Sequence, residues 1–181
     1  MKIIIVTLFF SVLAPFINAT PMDLCAYKMS VTGNFSFPLK ITRHDEVYLG
    51  LKIAPSYGIF IRDNLEQRVQ FSVTANYIFS KQKSLIKTPV FWDVSWATIY
   101  YFQTHSRFRP YLGGGLGVGF MDINRYSINI LLDVPVGILI ELNTSLALDI
   151  GIPFRIRVSP RAFFDSVEIP IGVIGLRYFF N

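Results

Sequence analysis

The chain has one cysteine, Cys25, two histidines and a charged fraction of 16% over 181 residues. A lone cysteine cannot close an intramolecular disulfide, so stability has to come from something other than a disulfide framework. His44 and His105 stand in separate loops and form no metal-ligand pattern, and neither a metal nor another cofactor is expected. An ordinary soluble domain is about 25% charged, so the chain is poor in the charge that normally covers a water-facing surface. Beyond the first residues no run of about 18 uncharged apolar residues occurs, which argues against helical membrane spans. The glycines from Gly113 to Gly119 fit no G-x-G-x-x-G frame and are followed by no Lys-Ser or Lys-Thr, so a phosphate-cradling loop is excluded.

At the amino end, Met1 and Lys2 precede the uncharged stretch Ile3 to Ile17 and then Asn18-Ala19-Thr20-Pro21, which offers a small residue at a cleavage position. That pattern predicts a cleaved secretory signal over residues 1–19 and a single barrel domain over 20–181. The apolar core is shorter than the roughly 20 residues of a membrane helix and contains Pro15, which disfavours the alternative of an uncleaved anchor. Loss of Lys2 lowers the basic count from 17 to 16 against 12 acidic residues, an excess too mild to suggest a nucleic-acid partner. Bulky Leu24 precedes Cys25 where an acylated cysteine expects a small residue, so Cys25 reads as a free thiol just ahead of the first strand.

What the chain has in abundance is period two. From Tyr27 to Ile41 every odd position is apolar or glycine and the even positions are mostly polar. The same alternation runs over Val47 to Ile61, Glu66 to Ser80, Pro89 to Gln103, Phe108 to Met121, Tyr126 to Leu142, Ser145 to Arg157 and Val167 to Phe180. Each segment exceeds the roughly 10 residues that a tilted strand needs to cross a bilayer. Short turns are expected at Arg62 to Leu65, Thr104 to Arg107 and Asn143-Thr144. Longer loops are expected at Arg43 to Glu46, Lys81 to Thr88, Asp122 to Arg125 and Ser159 to Ser166. If the first strand begins in the periplasm, the short turns share that side and the longer loops face outward. Pro55, Pro135, Pro153 and Pro170 each delete a ladder donor, and a bulge is expected near Pro170. The fold class is all-β, an eight-stranded antiparallel up-and-down transmembrane β-barrel.

Alternation alone does not distinguish this barrel from a secreted soluble carrier, which inverts inside and outside. The chemistry of the polar face does. It is mostly Gly, Ser, Thr and Asn, which suits a crowded interior, whereas a soluble exterior would be dense in Lys and Glu. Large aliphatic residues fill the middle of the apolar face, with Tyr57, Tyr77, Trp92, Tyr100, Tyr126 and Tyr178 nearer strand ends, as in the aromatic girdles of a lipid-facing wall.

The segment from Arg109 to Phe120, with Gly113, Gly114, Gly115, Gly117 and Gly119, resembles the glycine-rich strand of the small bacterial outer-membrane barrels, a group that includes the OmpA membrane domain and the OmpX- and OmpW-like proteins. The carboxyl end is similar to that group's assembly signal, in which Gly175 is followed by the alternate aromatics Tyr178 and Phe180. Val173 departs from it where a polar residue is usual, and Asn181 extends past the terminal aromatic. The resemblance implies a bacterial outer-membrane location, export through the cleaved signal, contact with outer-membrane lipid or lipopolysaccharide, and recognition by the barrel-assembly machinery. A monomer is expected.

With the apolar face turned to lipid, Lys40, Lys52, Asp93, Asp133, Asp149, Arg155, Arg157 and Arg177 point into the lumen. Opposite charges in so narrow a space are expected to pair, because an isolated buried ion is costly. The reading is a salt-bridge-plugged envelope protein with a structural or surface-interaction role; the alternative is a narrow pore or conduit for small, even hydrophobic, solutes. The inward glycines are expected to make room for Arg155 and Arg157. Barrels that deacylate lipid carry a His-x-Ser motif, which is absent here because Ser106 directly follows His105. An enzyme of the outer rim built from His44, Ser159 and Glu168 is the third reading, ahead of the secreted soluble carrier, and solvated loop residues describe those three better. Lys81, Lys83 and Lys87 share one outer loop and offer point charges to anionic lipid, with a merely solvated loop as the simpler account.

Overall fold

A computed structural model describes residues 24–42, 47–78, 90–104, 106–121, 127–159 and 162–180. The expected loops at Arg43 to Glu46, Lys81 to Thr88 and Asp122 to Arg125 lie outside these residues. The strands are β1 (Met29–Thr42), β2 (Val47–Arg62), β3 (Leu65–Ile78), β4 (Val90–Tyr101), β5 (Phe108–Met121), β6 (Ser127–Val134), β7 (Val136–Glu141), β8 (Leu146–Gly151), β9 (Phe154–Ser159) and β10 (Ala162–Phe180). All pairings are antiparallel: β1 to β6 pair in chain order, β5 also pairs β7, β6 pairs β9, β7 pairs β8, β10 pairs both β8 and β9, and β1 pairs β10 from Met29↔Phe180 to Thr42↔Ser166, which closes the barrel. Segments β6 and β7 are halves of one wall strand, and β8 and β9 are halves of another, so the barrel has eight strands.

The prolines explain those divisions. A proline has no amide hydrogen to give the ladder, and the sixth wall strand breaks at Pro135 while the seventh breaks at Ile152-Pro153. The chain bridges both gaps with other backbone bonds: Gly113 N–H donates to the Pro135 carbonyl at 2.8 Å and Ile152 N–H to the Val136 carbonyl at 2.8 Å. Pro55 behaves differently, lying on the outer face of an unbroken β2. Near Pro170 the β1–β10 register slips between Ser36↔Val173 and Pro38↔Pro170, so that Ile171 and Gly172 oppose Phe37 alone. Gly172 takes a φ of 78°, a conformation open to glycine and strained for other residues. This bulge inverts the strand: Ser166, Glu168 and Pro170 face inward before it, and Val173, Gly175, Arg177 and Phe179 after it. The last strand also starts earlier than its alternation suggests, at Ala162, which places most of the expected Ser159 to Ser166 loop in the wall.

The two faces differ sharply. Val31, Phe35, Ile53, Trp96, Leu116, Ile130 and Leu176 are exposed, whereas Ser30, Thr32, Asn34, Lys52, Asp93 and Arg177 are buried. The exposed apolar side chains run round the whole wall, far beyond the roughly 300–600 Å² of the largest patch on a soluble monomer. A wall of this kind is stable against lipid, and the soluble-carrier alternative requires the reverse arrangement. Of the expected girdle residues, Tyr57, Trp92, Tyr100 and Tyr178 do face outward, and the side chains of Tyr77 and Tyr126 lie outside the description.

The interior is not uniformly polar, contrary to the expectation from its small residues. At the end that carries the short turns, Leu24, Phe60, Ile99, Tyr101, Tyr111, Leu139, Ala147 and Phe179 form a buried apolar plug. Leu24 enters it from outside the strands. Its carbonyl accepts from Asn64 N–H at 2.9 Å in the turn after β2, and Tyr27, at a φ of 68°, bends the backbone so that its own N–H reaches the Phe60 carbonyl at 2.6 Å.

Candidate functional site

All eight charged residues assigned to the lumen from the alternation are buried there. They sort into two layers along the axis. In the layer next to the apolar plug, Arg177 of β10 donates to Glu66 Oε2 at 3.2 Å, to Asp149 Oδ2 at 2.5 Å and to the Tyr101 hydroxyl. Arg68 donates to Glu66 Oε2 at 2.8 Å and to Tyr101 Oη at 2.6 Å. The carboxylates are further held by hydroxyls: Ser30 and Tyr101 donate to Glu66, and Tyr111 donates to Asp149, each at 2.6 Å. Arg109 and Glu141 form a separate ion pair at the same end of the barrel.

In the layer toward the longer loops, Arg155 grips Asp133 through two bonds, Nε to Oδ1 at 2.5 Å and Nη2 to Oδ2 at 2.7 Å, and reaches Asp93 at 2.9 Å. Arg157 donates to Asp93 Oδ1 at 3.2 Å and its guanidinium lies 5.0 Å from the Phe91 ring centre. Lys52 donates to Glu168 at 3.1 Å. Lys40 places its ammonium 4.1 Å from the same Phe91 ring. Paired, planar and hydrogen-bonded geometry of this kind is what a desolvated ion needs to offset its lost hydration.

Glycines give these side chains their room. A Cβ at Gly119 would stand 2.5 Å from both Arg157 Nη1 and Asp93 Oδ1, and one at Gly151 would stand 2.7 Å from the Tyr111 hydroxyl. Gly58 opens space for the Glu66 carboxylate in the same way. Gly115 and Gly117 depart from expectation, since the nearest atoms belong to the adjacent strand β4 at Trp96, Ala97, Val94 and Ser95, not to an arginine.

The alternation missed much of the plug-side layer. Glu66, Arg68, Tyr101 and Tyr111 were all available from parity, because each falls on the polar or glycine-bearing face of its strand. Glu168 requires a correction: it is a buried partner of Lys52 inside the wall, not a solvated rim residue. His44 lies outside the described residues, as do Lys81, Lys83 and Lys87. In the assembly signal, Gly175 faces the lumen and Tyr178 faces outward, with its ring 6.2 Å from that of Phe180.

A closed eight-stranded antiparallel barrel with an apolar outer wall and a polar interior is the fold of a small transmembrane β-barrel. Solved structures agree with that class. The fold is similar to that of Neisserial surface protein A (NspA), 20% identical, with a TM-score of 0.63, 84% of this chain and 97% of that chain covered. It is also similar to the outer membrane protein OprG from Pseudomonas aeruginosa, 12% identical, with a TM-score of 0.55 and 91% and 100% covered. No family model matches the chain, and no curated protein matches it in sequence.

Proposed function

We propose that this chain is a non-catalytic integral protein of a bacterial outer membrane whose lumen is sealed, serving envelope integrity or surface interaction as a monomer. The observation that carries the reading is the stacking of two ion-paired layers on an apolar plug: Arg177 and Arg155 each bind two carboxylates inside a barrel already narrow at eight strands. Removal of residues 1–19 as a signal, and assembly through the last strand, belong to the same proposal. So does contact between Lys81, Lys83 and Lys87 and anionic lipid.

The second reading, a narrow conduit, is favoured by one feature. A cavity of about 60 Å³ lies in the lumen, lined by Arg68 and Asp149 of one layer and by Lys52, Arg155 and Glu168 of the other. Recording planar-bilayer conductance of residues 20–181 beside the Asp149→Ala, Arg155→Ala double variant separates the two readings. The sealed barrel predicts silence from folded, inserted wild type; reproducible wild-type channels altered in the variant would establish the conduit.

A further inference from the structure

The ion pairs leave several buried polar atoms unaccounted for, among them Thr74 Oγ1 and Asn76 Oδ1 on β3, and one group of them adjoins Arg177. On the wall formed by β10, β1 and β2, Thr32 lies opposite Arg177 on one side and Ser56 on the other, and Asn34 lies opposite Gly175. These four residues are buried, and Thr32 Oγ1, Ser56 Oγ, Asn34 Oδ1 and Arg177 Nε have no protein hydrogen-bond partner. Buried polar atoms are nearly always satisfied, and here four orphans meet in one patch.

Their chemistry narrows the occupant. A metal cation is opposed by the guanidinium of Arg177, and an anion gains little because Glu66 and Asp149 already neutralise that guanidinium. The patch presents two hydroxyls, an acceptor and an N–H donor, which suits a small neutral molecule able both to give and to accept. Side chains directly opposite on antiparallel strands have Cβ atoms about 5 Å apart, close to the span of two hydrogen bonds of about 2.8 Å through one oxygen. Of the four, Asn34 also lines the lumenal cavity, so the patch borders on space large enough for water at that residue.

We propose that Thr32, Ser56, Asn34 and Arg177 Nε form a fixed internal water site, the hydrogen-bonded filling between the two ionic layers. The site is separate from the question of conduction, since an ordered water here would stand even if the barrel proved to be a conduit.

The sign of a stability change tests it. If water bridges these atoms, the Thr32→Val, Ser56→Ala variant deprives Arg177 Nε of its bridge, and the folding equilibrium constant falls about fivefold or more. Thr32→Ser, which keeps the hydroxyl, stays near wild type. A double variant as stable as wild type, or more stable, would overturn the site, because deleting hydroxyls that bond nothing relieves a desolvation cost. A high-resolution crystal structure of the wild type supplies the second readout. Water density within about 3 Å of Thr32 Oγ1 and Arg177 Nε is expected, and its absence would overturn the proposal even if the variant failed to fold.

Discussion

The two ionic layers hold similar charges in different surroundings. Next to the plug, Arg177 and Arg68 face Glu66 and Asp149 with the hydroxyls of Tyr101 and Tyr111 filling the remaining bonds, and aromatic and aliphatic side chains close the space beside them. Toward the loops, Lys52, Arg155 and Arg157 face Asp93, Asp133 and Glu168, and Phe91 supplies the aromatic surface. In the proposed sealed barrel, the first layer acts by volume and by charge and the second mainly by charge. Loss of a cation should therefore cost most beside the plug, where the stranded carboxylates have least access to water.

Arg177→Leu is the strongest challenge to that contrast. It leaves Glu66 and Asp149 buried with Arg68 as their remaining cation, and should destabilise the barrel by about 3–5 kcal/mol. Phe60→Ala should come next, at about 3 kcal/mol, because the ring is wholly buried against Tyr101 and Phe179 and little can move to fill its place. Lys52→Met should cost less, about 1.5 kcal/mol, because Glu168 keeps Arg157 at 3.9 Å. Tyr178→Phe, on the lipid-facing wall, should stay within about 0.5 kcal/mol. Urea unfolding in lipid vesicles, followed by tryptophan fluorescence, measures all four. An Arg177→Leu effect no larger than that of Lys52→Met would abolish the distinction between the layers.

Most of the architecture was legible because period two survives every break in the wall. Asp133 and Glu141 point inward on either side of Pro135, and so do Asp149 and Arg155 on either side of Pro153. The last strand was harder to read because its bulge exchanges the two faces at Ile171-Gly172, so no single parity fits it. Which ions meet was not legible. Arg177 and Glu66 are 111 residues apart and Arg157 and Asp93 are 64 apart, distances closed only by the stagger of the completed barrel. The plug was hidden for a related reason: Phe60, Leu139 and Phe179 each have only polar or small inward neighbours on their own strands, Ile99 has Tyr101 beside it, and they become a cluster when the barrel curls them together.

Closure of the lumen is most directly tested by thiol accessibility in lipid vesicles. In a Cys25→Ser background, single cysteines would be introduced by Ser30→Cys beside the plug and Ser95→Cys at the cavity, both at buried positions. The account predicts that a membrane-impermeant thiol reagent leaves both unmodified from either side of the folded barrel, while unfolded protein reacts fully. Rapid labelling of both positions in the folded state would contradict it and show a water-filled passage through the layers.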